Sequence, residues 1–526
     1  MTAADQPVRK VTIVGGGTAG WMTAAVLSQW LSQVEIKLIE SDEIGIIGVG
    51  EATIPHIRNY LALANIDPLK MIAAAKATFK LGIQFVDWGA PGESYIHGFG
   101  KIGRDMLWLH PHQLWLAARE RAPGSVGHFD QYSLNCAASL KSRFAFPDPR
   151  NPNSPLADLD YAYHFDASLL ARFLRAESEA RGVERVEGRI VEVIQHPESG
   201  FVERVRLSDG REVDGELFVD CSGMRALLIG DALGNGYEDW NQWLLCDRAQ
   251  AVPCASVSPL TPYTRSTAQK AGWQWRIPLQ HRIGNGCVYS SSLLSDEEAA
   301  ETLLANLDGE ALADPRPVRF APGRRLKAWD KNVVALGLSS GFLEPLESTS
   351  IHLIQTGIHR ILAMFPSAGF NQADLDEYNR QSKFEYEDVR DFIIAHYKVT
   401  RRSGDPFWDH VREMDVPDSL SERLELFRSS GRFFKRGAQE LFAEESWVQV
   451  LLGQGLEMNP DPVTRFVPDE ELTGFLGDIA EVVADVADGM PDHGEFVAKL
   501  PPSSAPQAPA APSSVSFALK YERIVH

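Results

Sequence analysis

A glycine-rich turn near the start of the chain constrains the fold more than any other feature. Residues 11–14 form an apolar segment typical of a buried strand, and Gly15-x-Gly17-x-x-Gly20 follows at once. An apolar helical run continues from Trp21. Glycines at this spacing allow a sharp turn, a close approach of pyrophosphate to the backbone, and tight packing of the helix on the strand. The segment therefore predicts a dinucleotide site, with an ordinary tight turn as the alternative.

A second strand supports the dinucleotide interpretation. Residues 34–39 read as a strand that ends at Glu40, where a carboxylate would accept hydrogen bonds from an adenosine ribose. The phosphates would then lie on the unpaired N–H groups at the helix N-terminus, which include those of Thr18 and Ala19.

Composition narrows the class of protein. The 526 residues carry a formal net charge of −20, which disfavours binding to nucleic acid or to an anionic membrane. Five scattered cysteines without a CxxC pair favour reduced thiols. Neither a signal peptide nor a long apolar run stands out, so we expect a cytoplasmic protein without a membrane span.

Two segments after Glu40 carry unusual patterns. Residues 46–55 form a glycine-rich loop, too irregular for a helix or a strand, whose apolar residues suggest backbone pressed against a flat group. Residues 79–85 alternate apolar and other side chains, which predicts one strand with Lys80 facing away from the apolar side. Taken alone, such a lysine is expected to be solvated.

The middle of the chain mixes aromatic segments with strands. Residues 88–165 include His97 and Phe99 and would fill a core or line a pocket for a flat substrate. His110-Pro-His112 resembles a metal-binding pair, but no cysteine or carboxylate cluster accompanies it, and we expect no metal.

Several strands follow a predicted helix that begins after Asp166, the expected N-cap. We expect strands over 186–193 and 202–207, and a buried strand that ends at Asp220-Cys-Ser-Gly223. That ending is typical of the place where an FAD-binding half returns to its cofactor, and a simple polar turn is the alternative.

Two later motifs complete the pattern. Trp273-x-Trp275-x-Ile-Pro278 places two indoles on one face of a strand that ends at the proline. A buried strand at 332–337 leads to Glu344 and Glu347, just before a helix that runs to about residue 364. Out of context, these two carboxylates would be ordinary helix caps.

The last part of the chain changes character. Residues 370–500 show mostly helical spacing, and 501–512 form a Pro/Ala/Ser-rich stretch that cannot bury a core. We therefore expect a disordered tail over 501–526.

Taken together, these segments resemble the flavin-dependent tryptophan halogenases over roughly residues 8–460. The matching motifs are Gly15-x-Gly17-x-x-Gly20-Trp21, Gly48-Val-Gly50-Glu51-Ala52-Thr-Ile54-Pro55, Trp273-x-Trp275-x-Ile277-Pro278 and Leu346-Glu347-Ser348-Thr349. The tryptophan motif is specific to this family, where it keeps flavin oxygenation away from the organic substrate.

The resemblance implies an α/β fold with a Rossmann-like, flavin-monooxygenase-type FAD-binding domain, an inserted β-sheet and a helical substrate subdomain. The FAD-binding part would span 1–365, with inserted or substrate-wall segments at about 80–160 and 236–324. The helical subdomain would span 366–500. The positions that match the family's FAD contacts beyond the first strand–helix unit are Gly50, Ala52, Asp220, Leu338 and Ser348.

The resemblance also implies a chemistry. Reduced FAD, O₂ and halide yield hypohalous acid, which Lys80 would hold by a hydrogen bond or as an N-haloamine once burial lowers its pKa. Glu347 would stabilise the cationic ring or remove its proton. The backbone N–H groups of Thr349 and Ser350 match the family's halide site.

The substrate positions show a departure from the family pattern. His97 and Phe99 match the residues that sandwich the substrate ring, while Ile54 and Pro55 belong to the strap between flavin and substrate. Tryptophan-specific members carry two adjacent tyrosines late in the chain, where this sequence has Ser446-Trp447. Free tryptophan is therefore disfavoured, whereas indole, another indole derivative or a larger aromatic stays open, as does chloride versus bromide.

Three further expectations concern partners and rival functions. The sequence shows no second GxGxxG, so a separate NADH-dependent flavin reductase would supply FADH₂, and a homodimer is possible. The main rival is an FAD-dependent aromatic monooxygenase, which would not need Lys80 or the paired tryptophans. A flavin-binding regulatory protein without activity is the non-enzymatic alternative.

Overall fold

The computed structural model describes residues 6–43, 50–437 and 439–500. The predicted loop residues 46–49 and the predicted tail 501–526 lie outside these ranges.

Strands and helices alternate through the first two thirds of the chain. The strands are β1 (Lys10–Val14), β2 (Glu35–Glu40), β3 (Gly50–Ala52), β4 (Thr78–Lys80), β5 (Gly82–Val86), β6 (Ser94–Gly98), β7 (Ala162–Asp166), β8 (Glu184–Glu187), β9 (Ile190–Gln195), β10 (Val202–Leu207), β11 (Glu212–Asp214), β12 (Leu217–Asp220), β13 (Tyr237–Asp239), β14 (Arg248–Cys254), β15 (Tyr263–Gln269), β16 (Gly272–Pro278), β17 (Ile283–Tyr289), β18 (Arg316–Arg319), β19 (Gly323–Arg325), β20 (Trp329–Asp330), β21 (Val333–Ala335) and β22 (Gly341–Phe342).

Helices dominate the last third. The α-helices are α1 (Thr18–Trp30), α2 (Ile57–Leu63), α3 (Pro68–Ala74), α4 (Pro111–Arg121), α5 (Leu134–Leu140), α6 (Ala167–Ala180), α7 (Asp296–Ala305), α8 (Ser350–Ala363), α9 (Gln372–Lys398), α10 (Pro406–Glu413), α11 (Asp418–Ser430), α12 (Glu444–Gly453), α13 (Asp469–Gly489) and α14 (His493–Ala498). Short 3₁₀ turns include Gly337–Ser339 and Pro345–Glu347.

The first sheet confirms the predicted strand–turn–helix unit. Its order is β20-β21-β12-β1-β2-β8, with β1 parallel to both β2 and β12. Helix α1 follows β1 directly and packs on this layer together with α6 and α8. The glycine turn therefore lies at the carboxyl edge of the parallel strands, where open α/β sheets bind nucleotides.

A second sheet of seven strands forms the wall beside the candidate site. Its order is β18-β14-β17-β16-β15-β5-β6, and β16 lies inside it between β15 and β17. The predicted tryptophan strand is confirmed as β16, which ends at Pro278. The ring centroids of Trp273 and Trp275 lie 6.1 Å apart, as expected for side chains on one face of a strand.

The prediction of one strand over 79–85 is wrong. The chain changes sheets at Leu81, so that β4 pairs with β7 while β5 pairs with β6 and β15. Lys80 ends β4 and is 0% exposed, so the interpretation of a solvated lysine is also wrong. An alternating pattern shows which side chains share one face of a strand. It cannot show that a neighbouring loop covers the other face.

Two other strand predictions need correction. The single strand expected over 186–193 is two strands, because Gly188 adopts φ +154° and separates β8 from β9. Strand β8 pairs with β2, whereas β9 pairs with β10 in a separate small sheet. Residues 50–52, expected to be irregular, form β3 and pair with β7.

The glycine turn generates a prediction about stability. A Cβ on Gly20 would lie 1.9 Å from the carbonyl oxygen of Gly15, which is backbone and cannot move aside. Gly20→Ala should therefore lower the free energy of unfolding by about 1–3 kcal/mol or more, measured by urea denaturation. Gly17→Ala is the matched control, because a Cβ on Gly17 meets nothing within 4 Å. Equal stability of the two variants would contradict this packing.

Candidate active site

The N-terminus of α1 forms a backbone cradle. Gly15 adopts φ +112°, and a Cβ there would lie 2.2 Å from the carbonyl oxygen of Cys221. Gly17 is the N-cap of α1 and offers no side-chain hydrogen bond, so the first N–H groups of the helix are not capped by it. A Cβ on Gly337 would lie 3.0 Å from that of Ala19. These approaches bring the turn containing Leu338 to the same edge, and the uncapped amides suit a pyrophosphate.

Glu40 stands directly beside the glycine turn. A Cβ on Gly16 would lie 1.6 Å from Glu40 Oε2, so only glycine fits beneath this carboxylate. Trp21 Nε1 donates to Glu40 Oε2 at 3.2 Å, and Arg175 and Arg185 pair with Oε1. The carboxylate is thus fixed where the sequence predicts the ribose contact. The cradle and this carboxylate together fit the adenosine diphosphate end of FAD.

Asp220 has an internal role in the described structure. Its carboxylate is 0% exposed and accepts hydrogen bonds from Ser222 N and Oγ and from the backbone N–H groups of Leu228 and Ile229. Asp220 therefore shapes the turn after β12. A contact between Asp220 and the cofactor stays a prediction.

Lys80 lies in a closed polar pocket at the end of β4. Its Nζ donates to the carbonyl oxygen of Thr53 at 3.0 Å and to Ser348 Oγ at 2.8 Å, and it stands 5.2 Å from the ring centroid of Phe99. Burial lowers the pKa of Lys80 to about 7, and the negative charge of Glu347 opposes that shift. The amine therefore lies within electrostatic reach of Glu347 and is poised between its charged and neutral forms near neutral pH.

Glu347 is held between two histidines. His97 Nδ1, on β6, lies 2.9 Å from Glu347 Oε2, and His396 Nε2, on α9, lies 2.8 Å from Oε1. Burial alone would raise the pKa of Glu347, but the two histidines outweigh burial and lower it to about 2. Glu347 is therefore an ionised carboxylate throughout the neutral range.

The backbone after Glu347 places the Ser348 hydroxyl beside Lys80 and leads into helix α8. The 3₁₀ turn Pro345–Glu347 ends at Ser348, which adopts φ +59° and points its hydroxyl to Lys80. Helix α8 then begins at Ser350 without a side-chain cap, and the hydroxyl of Thr349 has no partner among the described residues. The alternative that Glu347 is an ordinary helix cap is therefore wrong, because α8 has no side-chain cap and the carboxylate of Glu347 lies against the two histidines instead.

The second carboxylate of this turn, Glu344, faces the tryptophan strand. Glu344 Oε2 accepts hydrogen bonds from Trp273 Nε1 at 2.9 Å and from the hydroxyl of Tyr397 at 2.5 Å. Its side chain is 0% exposed, and burial raises its pKa to about 7 against the effect of these two donors. Glu344 is not a helix cap either.

Aromatic rings pack against one another beside His97. Phe392 meets the ring of His97 at 5.8 Å, stacks on Phe442 at 3.8 Å and meets Trp447 edge-on at 4.8 Å. Ile54 and Pro55 follow Thr53, whose carbonyl binds Lys80, so the predicted strap reaches this site. A flat aromatic ligand suits such walls.

The pair His110 and His112 has other partners. His112 Nε2 lies 2.7 Å from the carbonyl oxygen of Gly431, and His110 Nδ1 lies 3.0 Å from Asp105. Within the described ranges, no group of three or more His, Cys, Asp or Glu side chains could hold a metal ion.

The sequence did not predict the roles of three residues of this site. Glu344 accepts a hydrogen bond from Trp273, His396 contacts Glu347, and Tyr397 donates to Glu344. His396 and Tyr397 belong to an apolar segment of α9, where a histidine is more often a core residue than a functional one. The available signal was the adjacent polar pair His396-Tyr397 within this apolar run.

Comparison with known proteins agrees with this fold and site. A family profile described as tryptophan halogenase matches residues 10–469. Among solved structures, Xcc4156, a flavin-dependent halogenase from Xanthomonas campestris, is 49% identical with a TM-score of 0.90, over 95% of this chain and all of that one. BrvH, a flavin-dependent halogenase from Brevundimonas sp. BAL3, is 46% identical with a TM-score of 0.89, over 94% and 99% of the two chains. Among curated proteins, the 7-chloro-L-tryptophan 6-halogenase KtzR of Kutzneria sp. (strain 744) is 33% identical, over 93% of this chain and 99% of its own.

The fold and the site thus define an FAD-using oxidoreductase of the halogenating class. The chain belongs to the tryptophan halogenase family, and the predicted resemblance, α/β fold and enzyme class are confirmed. In the described part of the chain, no helix is both long and apolar enough to cross a membrane.

Burial of Lys80 generates a prediction about pH and stability. Because the pKa of Lys80 is lowered to about 7 in the folded state from the ordinary lysine value of 10.5, the folded protein binds fewer protons than the unfolded chain between these pH values. Stability from this group therefore rises with pH across that window. Lys80→Met should be more stable than wild type near pH 7 by a few kcal/mol, at about 1.4 kcal/mol per pKa unit, and lose that advantage towards pH 10.

The control for this measurement is Lys383→Met, since the side chain of Lys383 is 55% exposed. Its stability difference from wild type should stay flat with pH in urea denaturation. A flat profile for Lys80→Met as well would contradict a buried amine.

Proposed function

We propose that this protein is an FADH₂- and O₂-dependent halogenase that places chlorine or bromine on an aromatic, indole-type ring. The observation that carries the proposal is the Lys80 amine, which is buried, forms no direct ion pair with any described residue, and lies within reach of the ionised Glu347. The family gives the class of reaction, and these two side chains supply the groups that such a reaction needs.

FAD would be held by Gly15, Gly17 and the first N–H groups of α1 at Thr18, Ala19 and Gly20. Glu40 would bind the ribose, and Gly50, Ala52, Asp220, Leu338 and Ser348 would line the remainder of the site. Bound in its reduced form, FAD would supply two electrons to O₂ and the halide two more, so that the products are oxidised FAD, hypohalous acid and water. The halide would lie on the N–H groups of Thr349 and Ser350, and the uncapped start of α8 supports an anion there.

Lys80 would hold the oxidant in place. As an ammonium it donates a hydrogen bond to the oxygen of hypohalous acid, and as a free amine it can form an N-haloamine with loss of water. In both cases the nearby Ser348 hydroxyl and Thr53 carbonyl keep Nζ in one position. Which form acts is set by the protonation of Lys80 near neutral pH.

Glu347 would complete the substitution. The ring carbon forms a bond to the halogen, the halogen–oxygen or halogen–nitrogen bond breaks, and the ring proton passes to a base. An ionised carboxylate stabilises the cationic ring and accepts that proton. His97 and His396 keep the carboxylate charged and fixed for this purpose.

The substrate would lie against His97, Phe99, Ile54 and Pro55. Curated relatives are named for tryptophan, which supports an indole ring. Trp447 packs into the aromatic wall against Phe392, and no tandem tyrosine stands nearby to bind an amino-acid end. We therefore propose indole or an indole derivative rather than free tryptophan.

Two further parts of the proposal concern surroundings. Trp273 and Trp275 would stand between the flavin and the substrate and so disfavour monooxygenation. A separate NADH-dependent flavin reductase would supply FADH₂, because the sequence carries a single dinucleotide turn.

The mass of the product tests the proposed function. Wild-type protein supplied with reduced FAD, O₂, bromide and indole should yield a product with the bromine isotope pair. A gain of 16 mass units would instead identify an aromatic monooxygenase, and no product from any indole or phenol would contradict both.

Variants of the two catalytic residues test their roles. Lys80→Met should remove halogenation while FADH₂ oxidation continues, because the oxidant would still form but no amine would bind it. Glu347→Gln should slow halogenation by about 10²–10⁴-fold with FAD affinity unchanged. Single-turnover product formation and flavin fluorescence titration measure the two effects, with Lys383→Met as the control. Wild-type halogenation rates in either variant would refute the role given to that residue.

A further inference from the structure

Glu344 is a fully buried carboxyl for which the proposed chemistry has no use. It directly precedes the 3₁₀ turn that carries Glu347, and its side chain points to the opposite side, towards β16. Its Oε2 accepts from Trp273 and Tyr397, while Oε1 has no partner among the described residues. A carboxyl that is buried in this way lowers the free energy of unfolding, so its presence here calls for an explanation.

The contacts of this turn are arranged in pairs. On α9, the adjacent residues His396 and Tyr397 bind Glu347 and Glu344 respectively, at 2.8 Å and 2.5 Å. On the sheet side, His97 of β6 binds Glu347 and Trp273 of β16 binds Glu344. Each carboxylate therefore joins α9 to a strand of the seven-stranded sheet, and the turn is fixed at both ends.

We infer that Glu344 is a positioning residue, which ties Trp273 and Tyr397 to the turn so that Glu347 and Ser348 stay aligned with Lys80. The expected consequence concerns the fraction of FADH₂ oxidation that leads to halogenation of the ring. Ser348 binds Lys80, Glu347 would act on the ring, and the next two N–H groups would hold the halide. A turn that shifts would therefore let O₂ continue to oxidise FADH₂ while less of that oxidation ends in a halogenated ring. This inference rests on the proposed function.

Burial shifts the carboxyl of Glu344 towards its protonated form. Burial raises the pKa of Glu344 to about 7, and no cation lies among the groups that shift this pKa. Glutamine reproduces that form, with one oxygen to accept from Trp273 and Tyr397 and a donor group at the other position. Methionine has a similar length and offers no comparable acceptor, so both N–H and O–H donors would be left unpaired.

The test is the number of halogenated molecules formed per FADH₂ oxidised, with indole and bromide. Glu344→Met should lower this ratio about tenfold or more, with unchanged FADH₂ oxidation rate and unchanged KM for indole. Glu344→Gln should stay within about twofold of wild type. Tyr397→Phe, which removes one of the two donors, should fall between them.

Tyr378→Phe is the matched control, because Tyr378 is also a buried tyrosine of α9 but its hydroxyl points to the carbonyl oxygen of Gly357. Equal ratios in Glu344→Met and wild type, or equal losses in Tyr378→Phe and Tyr397→Phe, would overturn the inference. If Glu344→Met does not fold, Tyr397→Phe decides: a loss supports the role and an unchanged ratio overturns it. Wild-type protein that forms no halogenated product would overturn the proposed function itself, and this role with it.

Discussion

The arrangement of the site depends on two buried groups, the amine of Lys80 and the carboxylate of Glu347. Burying either charge is costly unless other groups compensate for the lost water. Here a serine hydroxyl and a backbone carbonyl receive the amine, and two histidines receive the carboxylate. These partners come from the loop after β3, from β6, from α9 and from the end of the turn Pro345–Glu347, so this one pair joins four separate parts of the chain.

The two sheets divide the work of building that site. The parallel sheet presents a glycine cradle and a fixed carboxylate for the nucleotide end of FAD. The seven-stranded sheet supplies the wall with Trp273 and Trp275, and its edge strand carries His97. Glu344 and Glu347 contact this wall through Trp273 and His97, and they contact α9 through Tyr397 and His396. The proposed function needs such a division, because the oxidant would form at the flavin and be used at the substrate ring.

Local signals in the sequence predicted the elements that local forces decide. The turn at Gly15–Gly20, strand β12, the end of β16 at Pro278 and the N-cap at Asp166 depend on residues that are neighbours in the chain. The burial of Lys80 does not, since it depends on Thr53 and on Ser348, which lies 268 residues away. The clamp of Glu347 by His97 and His396 is equally non-local. The resemblance identified Lys80 and Glu347 as a pair, but only the three-dimensional contacts reveal Glu344, His396 and Tyr397 as their supports.

Under the proposed function, the oxidant would pass from the flavin site to Lys80 inside the protein. The test adds a trap for free hypohalous acid, such as monochlorodimedone, in large excess over indole during turnover with bromide. If the oxidant stays inside the protein until Lys80 holds it, the yield of bromoindole is unchanged and the trap is left unmodified. A yield of bromoindole that falls as the trap becomes brominated would show that the oxidant reaches the substrate through bulk water. That result would contradict its retention inside the protein.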